Sequence, residues 1–254
     1  MGRGRPGADG KLYYVQWRLP AQVVLGLKVS IIIPTMNEEK SVGNVLDEIK
    51  GTMIGSGLEY EILIVDTNSK DRTREISEEK GAIVVDEPQR GYGRAYKTGF
   101  ERSSGEIIVT MDADCTYPAE DIPRLCRILF EGDLDFITTN RFGKLEKRAM
   151  SRKHRFGNWV LTETTNLLFG VKLKDSQSGM WVFKKACLEK LKLKNDGMPF
   201  SEEIKIEALR KVRSKEVPIH YRERVGEVKL SSWKDGRKNI TYLFKKRFSS
   251  DHHR

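Results

Sequence analysis

Cysteine and histidine are scarce in this sequence of 254 residues, with three of the first and four of the second. Cys115, Cys126 and Cys187 form neither a close pair nor a metal-ligand spacing. A disulfide framework and a zinc ribbon are thereby excluded, and the usage fits a reducing, cytoplasmic setting. Two of the histidines, His252 and His253, stand at the extreme tail, so little material for a zinc site remains. No apolar run approaches the roughly 18 residues of a membrane-spanning helix. Val23-Val24-Leu25 behind the basic start is too short a hydrophobic region for a secretory signal. Internal repeats and low-complexity tracts are also missing.

Apolar residues make up 38% of the chain and the mean hydropathy is −0.52, as in a soluble globular protein. That length can bury one large α/β core. The net charge of +10 is unevenly placed. Residues 1–140 hold 17 Lys/Arg against 23 Asp/Glu, a net −6, whereas residues 141–254 hold 29 against 13, a net +16. The second half should attract an anionic partner such as a phosphorylated lipid, a membrane surface or nucleic acid, although a solvated Lys-rich face gives the same count.

Residues 1–27 carry Gly, Pro and Arg without a sustained period and read as a flexible leader. Residues 29–33 form a continuous apolar run stopped by Pro34, which suits a strand buried on both faces. Helical spacing follows over 41–53, then a strand over 61–65, a charged helix over 71–79 and a short strand over 82–85. The pattern continues with a helix over 94–102, a strand over 106–111, a helix over 122–130 and a strand over 135–139. Farther on, residues 152–170 predict a long helix whose Phe156, Trp159 and Leu168 read as core. A Gly-containing polar loop and strand are predicted over 175–183, shorter helices over 185–191 and 201–209, and a last strand over 216–221. The stretch 240–248 is either an interfacial anchor or a fraying tail.

Strands alternating with helices imply right-handed crossovers and an α/β fold, a mostly parallel sheet flanked by helices in a single domain. Ligands of such sheets sit beyond the carboxyl ends of the strands. Three polar clusters follow strand ends directly: residues 34–38, 66–71 and 112–114. In an extended chain Asp112 and Asp114 point to the same side. Two carboxylates aimed together suit Mg²⁺ or Mn²⁺, which can in turn hold a diphosphate. Alone, Asp-x-Asp is also an ordinary solvated turn. Gly91-Tyr92-Gly93 lacks the third glycine of a dinucleotide fingerprint and does not close the first strand–helix unit. Its glycines are expected to permit close backbone approach near the ligand.

Ile31-Ile32-Ile33-Pro34-Thr35-Met36-Asn37-Glu38-Glu39, Val65-Asp66-Thr67-Asn68-Ser69-Lys70-Asp71-Arg72-Thr73 and Met111-Asp112-Ala113-Asp114 resemble the inverting GT-A (Rossmann-like) glycosyltransferases of the family 2 type. Within that family the chain is similar to the dolichol-phosphate mannose synthases and polyprenyl-phosphate glycosyltransferases. Arg90-Gly91-Tyr92-Gly93-Arg94-Ala95, Asp175-Ser176-Gln177-Ser178-Gly179-Met180 and Arg224-Val225-Gly226-Glu227-Val228-Lys229-Leu230 carry this narrower likeness. It spans residues 28–235 and leaves 236–254 as a basic tail with possible membrane-surface contact. Thr67, Thr116 and Trp181 depart from the pattern, standing where an acidic residue, Gln and Arg are usual.

The resemblance implies a metal-dependent transfer of a hexose, mannose or glucose, from GDP-mannose or UDP-glucose to a polyprenyl (dolichyl) phosphate. Asp112 and Asp114 would hold the metal. Pro34, Thr35, Asn37, Glu38, Asp66 and Ala113 would line the donor pocket, and Arg141, Arg224 and Lys229 would clamp donor diphosphate or acceptor phosphate. Asp175 would orient the acceptor. An ionised phosphate acceptor needs no strong general base, in keeping with the few histidines. The enzyme is expected at the cytoplasmic face of a membrane, as a peripheral protein with no nucleic-acid partner. A related transferase with a saccharide or small-metabolite acceptor would need Asp175 as base. A nucleic-acid-binding protein would fit the isoelectric point near 9.4 but leaves the acidic loops unexplained.

Overall fold

The computed structural model of the chain describes residues 27–146, 149–225 and 232–249, with 5–6, 12–13 and 232–235 as backbone only. Lys229 and the expected leader lie outside the described residues, apart from residue 27 and a short antiparallel pair, β1 (Arg5–Pro6) with β2 (Leu12–Tyr13). From there the elements alternate as β3 (Lys28–Thr35), α1 (Val42–Ile54), β4 (Glu59–Asp66), α2 (Thr73–Glu79), β5 (Ile83–Asp86), α3 (Tyr92–Arg102), β6 (Ile107–Thr110), α4 (Ile122–Glu131) and β7 (Phe136–Leu145). The remainder is α5 (Arg152–Phe169), β8 (Trp181–Lys184), α6 (Phe200–Lys211), β9 (Ser214–Tyr221) and α7 (Ser232–Phe248), with 3₁₀ turns at Ala119–Asp121 and Lys185–Lys190.

Seven strands form one sheet in the order β5-β4-β3-β6-β8-β7-β9. Every neighbouring pair is parallel except the two that β8 makes, with β6 and with β7. β8 follows β7 through α5 and the loop of residues 170–180, and this long connection lets it enter the sheet from the opposite end. The apolar run of β3 is buried on both faces because successive side chains alternate. Val29, Ile31 and Ile33 meet α1 and α4 through Leu46, Ile49, Leu125 and Leu129, while Ile32 joins the other layer with Tyr96, Phe100 and Phe200 of α3 and α6.

The chain runs outward from β3 to β4 and β5, then returns to place β6 on the other side of β3. This reversal opens a crevice beyond the carboxyl ends of β3 and β6. α5 starts on Ser151, whose Oγ accepts the His154 amide at 3.2 Å, and stops at Gly170 with φ of 66°. α7 packs against α5 and buries Leu243 beside Leu161, Phe169 and Ile206. The stretch expected as an anchor or a fraying tail is thus part of this helix. Phe156 and Trp159 differ from expectation: they are 65% and 56% exposed and touch each other, not the core. Their helical spacing is right, but the face they occupy looks outward.

Candidate active site

The loops after β3, β4 and β6 meet at this crevice, and side chains from one loop satisfy the backbone of the next. Asp66, 1% exposed at the end of β4, accepts Thr35 Oγ1 at 3.1 Å and the Ser69 amide at 3.0 Å, with Arg74 3.3 Å away. Asn37 takes the left-handed conformation, φ 59°, where its Oδ1 receives the Lys70 amide at 2.7 Å and its amide donates to Ser69 Oγ at 2.8 Å. The Glu38 amide donates to Thr73 Oγ1 and the Glu39 amide to Asp71 Oδ2, at 2.7 and 3.1 Å. Pro34 and Glu38 are half-buried, Thr35 is buried and Asn37 is exposed. Thr67, at the departure from the family pattern, donates its amide to the Thr35 carbonyl.

Asp112 and Asp114 follow β6, with the side chain of Ala113 turned into the core between them. Burial, then the Asp114 charge beside it, pushes the Asp112 carboxyl from 3.8 up to about 7, against the opposing pull of Arg224 and Arg141. Asp114 is held from behind by Thr116, whose amide and Oγ1 donate to Oδ1 at 3.1 and 2.6 Å. The other oxygen, Oδ2, lies 2.6 Å from Arg224 Nη2, an ion pair whose alignment does not make a hydrogen bond. Arg224 reaches this place because residues 222–225 run alongside residues 114–116. The Arg222 amide donates to Thr116 O at 3.0 Å and the Val225 amide to Asp114 O at 2.9 Å.

Gly179 forms the floor. A Cβ there would sit 2.6 Å from Tyr92 Oη and 3.4 Å from Asp112 Oδ1, so only glycine leaves the acidic pair open on this side. Tyr117 Oη accepts the Gly179 amide at 2.6 Å, and Thr110 Oγ1 donates to its carbonyl at 2.8 Å. Behind this floor, Asp175 and Arg141 form a buried fork. Asp175 Oδ2 accepts the Arg141 amide at 3.0 Å and Nε at 2.7 Å, while Oδ1 accepts Nη2 at 2.8 Å. Burial works against the Asp175 charge, but Arg141 outweighs it and holds the carboxyl below the usual carboxylate range. The Arg141 guanidinium also stacks over Tyr221, 5.3 Å from the ring centre.

Gly91 and Gly93 do something other than the expected approach to a ligand. A Cβ on Gly93 would sit 2.5 Å from the Asn195 carbonyl, and the Arg94 amide donates to Asp196 O at 3.0 Å. These glycines admit the 195–197 loop, a partner more than 100 residues away in sequence.

The sequence profile described as Glycosyl transferase family 2 matches residues 30–192, which contain all three strand-end loops and the Asp175 loop. The chain is a family 2 glycosyltransferase. This glycosyltransferase is 36% identical over 85% of its length to the low-salt glycan biosynthesis hexosyltransferase Agl6 of Haloferax volcanii, and spans 52% of that longer protein. It is 33% identical over 82% of its length to the dolichyl-phosphate hexose transferase of the same organism, of which 89% is covered. Its fold matches glucosyl-3-phosphoglycerate synthase from Mycobacterium tuberculosis, in a crystal structure with Mn²⁺, UDP and glucosyl-3-phosphoglycerate. The TM-score is 0.67 at 20% identity, covering 87% of this chain and 80% of that one. The seven-stranded sheet and its flanking helices are therefore a GT-A fold.

Several groups around the glycosyltransferase site were not singled out by sequence reasoning. Tyr117 and Tyr221 carry no motif signal of their own, Thr116 stood out only as a departure from the family pattern, and Tyr92 lay inside the Arg90–Ala95 motif. α6 is the larger omission. Its residues Phe200 to Ala208 are all buried, including Glu202, Glu203, Lys205 and Glu207. Lys205 Nζ donates to Ser176 O at 2.5 Å and Ser201 Oγ at 3.1 Å, beneath the Asp175 loop. A helix with charge on every side shows no amphipathic period, so only its tertiary partners reveal it.

Proposed function

We propose that this glycosyltransferase moves a hexose from a nucleotide-diphosphate sugar, GDP-mannose or UDP-glucose, onto a polyprenyl phosphate, with a divalent cation at Asp112 and Asp114. The observation that carries the reading is the pairing of two neighbouring carboxylates, Asp114 buried and Asp112 half-buried, with the two arginines Arg141 and Arg224. Burial and then the neighbouring Asp114 charge raise the Asp112 carboxyl to about 7, and Asp114 keeps one oxygen without an aligned donor. Gly179 leaves the approach clear. Those features fit Mg²⁺ or Mn²⁺ bound by two carboxylates, with no cluster of three or more acidic, His or Cys ligands among the described residues. The ion would neutralise charge on the departing nucleoside diphosphate.

The chain's own groups supply the remainder. The loops at residues 34–38 and 66–71, rigid through their mutual hydrogen bonds, support a nucleoside at the ends of β3 and β4. Arg224 offers positive charge to a phosphate, and Arg141 is held in place by Asp175 as a fixed charge beside Asp112. Both Asp175 oxygens accept bonds from Arg141, and Oδ1 also accepts the Gln177 amide at 3.0 Å. A carboxylate so occupied positions a guanidinium and is a poor proton acceptor. An acceptor that arrives ionised suits such a site, because catalysis then rests on positioning and charge stabilisation.

A peripheral membrane seat is part of the proposal. Among the described residues no helix is long and apolar enough to cross a membrane. α5 and α7, which pack together, expose Phe156, Trp159, Leu167, Phe244 and Phe248. Lys245 and Arg247 stand among the last of these, a mixture of aromatic and basic groups suited to an anionic interface. The test is a panel of labelled nucleotide sugars offered with polyprenyl phosphate and Mn²⁺ or Mg²⁺. Label passing into the organic phase identifies donor and acceptor together. Failure of every donor with both metals refutes the lipid-phosphate reading.

A further inference from the structure

Asp114 has two oxygens, and only one is open to a cation. Oδ1 is taken by the Thr116 amide and hydroxyl. Oδ2 is the oxygen that faces Arg224 Nη2 at 2.6 Å. The Asp114 side chain is 3% exposed, so there is no room for a guanidinium and a divalent ion on the same atom. We propose that Arg224 is a latch on the acidic centre: its guanidinium and the divalent cation compete for Asp114 Oδ2, and cation binding displaces the arginine. This rests on the reading of Asp112 and Asp114 as the metal centre.

Three features make the exchange specific to Arg224. The segment that carries it is pinned without help from Arg224: the Arg222 amide donates to Thr116 O, the Glu223 amide to Glu146 Oε2 and the Val225 amide to Asp114 O, so only the Arg224 side chain has to turn. That side chain is 29% exposed and has a path outward. The neighbouring arginines are engaged elsewhere: Arg222 pairs with Glu48 and Glu120, at 2.9 and 2.5 Å, and Arg141 is forked onto Asp175. Among the described residues, Asp114 is the carboxylate that Arg224 reaches.

The consequence follows from linkage. A cation that expels Arg224 leaves a guanidinium tethered beside the centre with its charge uncommitted. An anionic group that draws Arg224 away must in turn tighten cation binding by the same factor. The arginine thus keeps the acidic oxygen paired until a cation arrives, and becomes available to a phosphate only afterwards.

Mn²⁺ affinity of the full chain, measured by electron paramagnetic resonance of the free ion, tests this without any turnover. Arg224→Gln should bind Mn²⁺ about tenfold more tightly than wild type, the order expected for losing a charge-assisted competitor. Arg224→Lys, with one flexible ammonium, should fall between the two. Arg222→Gln removes a similar charge nearby without touching Asp114, and should stay within about twofold of wild type. Equal or weaker Mn²⁺ binding by Arg224→Gln overturns the latch and leaves the metal centre intact. An equal gain in Arg222→Gln reduces the effect to a general field and overturns it as well. If wild type and Arg224→Gln bind Mn²⁺ no better than Asp114→Asn, the metal-centre reading fails instead.

Discussion

On one side of the crevice, Asn37, Asp66 and Asp71 stand at loop ends and are satisfied by backbone amides and hydroxyls a few ångströms away. On the other, Asp175, Glu202 and Lys205 are sealed under the helices, each 0% exposed, and must balance one another. The first side is acidic in composition and its carboxylates rest on turn amides and hydroxyls; the second is basic overall, yet its interior is acidic and its buried charges depend on one another. A pocket rim built on turn hydrogen bonds tolerates change one residue at a time. A sealed charge network does not, because removing one member leaves another without compensation.

The largest effect is expected where the two sides meet. Asp112→Asn or Asp114→Asn should lower kcat by at least about 10²- to 10³-fold, with the fold intact by circular dichroism, since charge stabilisation of the leaving group is lost. Retained turnover would separate the acidic pair from the chemistry. Next comes the sealed side. Asp175→Asn leaves the Arg141 guanidinium buried and unpaired, and should cost about 3–5 kcal/mol in a denaturant titration. A comparable loss for Asp71→Asn, on the locally satisfied rim, would break the contrast between the two sides.

A smaller, pH-dependent effect belongs to Glu202. Burial pushes its carboxyl from 4.5 up to about 7, and its Oε2 has no hydrogen-bond partner. The folded value therefore lies above the unfolded one. The stability tied to its proton is complete below about pH 4.5 and is lost as the pH rises through about 7. Glu202→Gln should thus melt higher than wild type at pH 8, by the equivalent of about 2–3 kcal/mol at most, and nearly level with it at pH 5. Lys205, three residues on, is pushed the other way by the same burial, down to about 7, so each pH needs the wild type beside the variant. The smallest effect on stability is expected on the outer face of α5. Trp159→Ser should change unfolding free energy by no more than about 0.5 kcal/mol. Its binding to vesicles containing anionic lipid should nevertheless fall severalfold, and unchanged binding would remove α5 from the membrane seat.

How much of this was legible in sequence divides along the same line. The runs around Ile31–Ile33 and Ile107–Val109 announce central strands because both their faces are apolar, and the polar residues just after them fall at the sheet's open edge. Asp112 and Asp114 needed only that placement to stand out. β8 was legible as a strand at the end of 175–183, but its antiparallel direction was not, since a short buried strand shows none. Phe156 and Trp159 have core spacing on a helix whose outer face meets no other part of the described chain. Gly91 and Gly93 were read by their nearness to the donor motifs, yet their reason is the 195–197 loop. The helix over 201–209 was legible, but not the burial of Glu202 and Lys205, which rests on Gln177 donating to Glu202 and on Ser176 O accepting from Lys205. Local pattern specifies elements and edges; it carries no record of which distant chain will cover a charge.

The central claim is that the site accepts a group that is already ionised, because Asp175, the carboxylate behind the acidic pair, is fully engaged by Arg141 and the Gln177 amide. It is tested most directly by offering the enzyme one labelled nucleotide sugar, Mn²⁺, and either polyprenyl phosphate or the matching free polyprenol. Transfer to the phosphate alone is the predicted result. Glycosylation of the alcohol at a comparable rate would require a free base at the site, and would contradict the account.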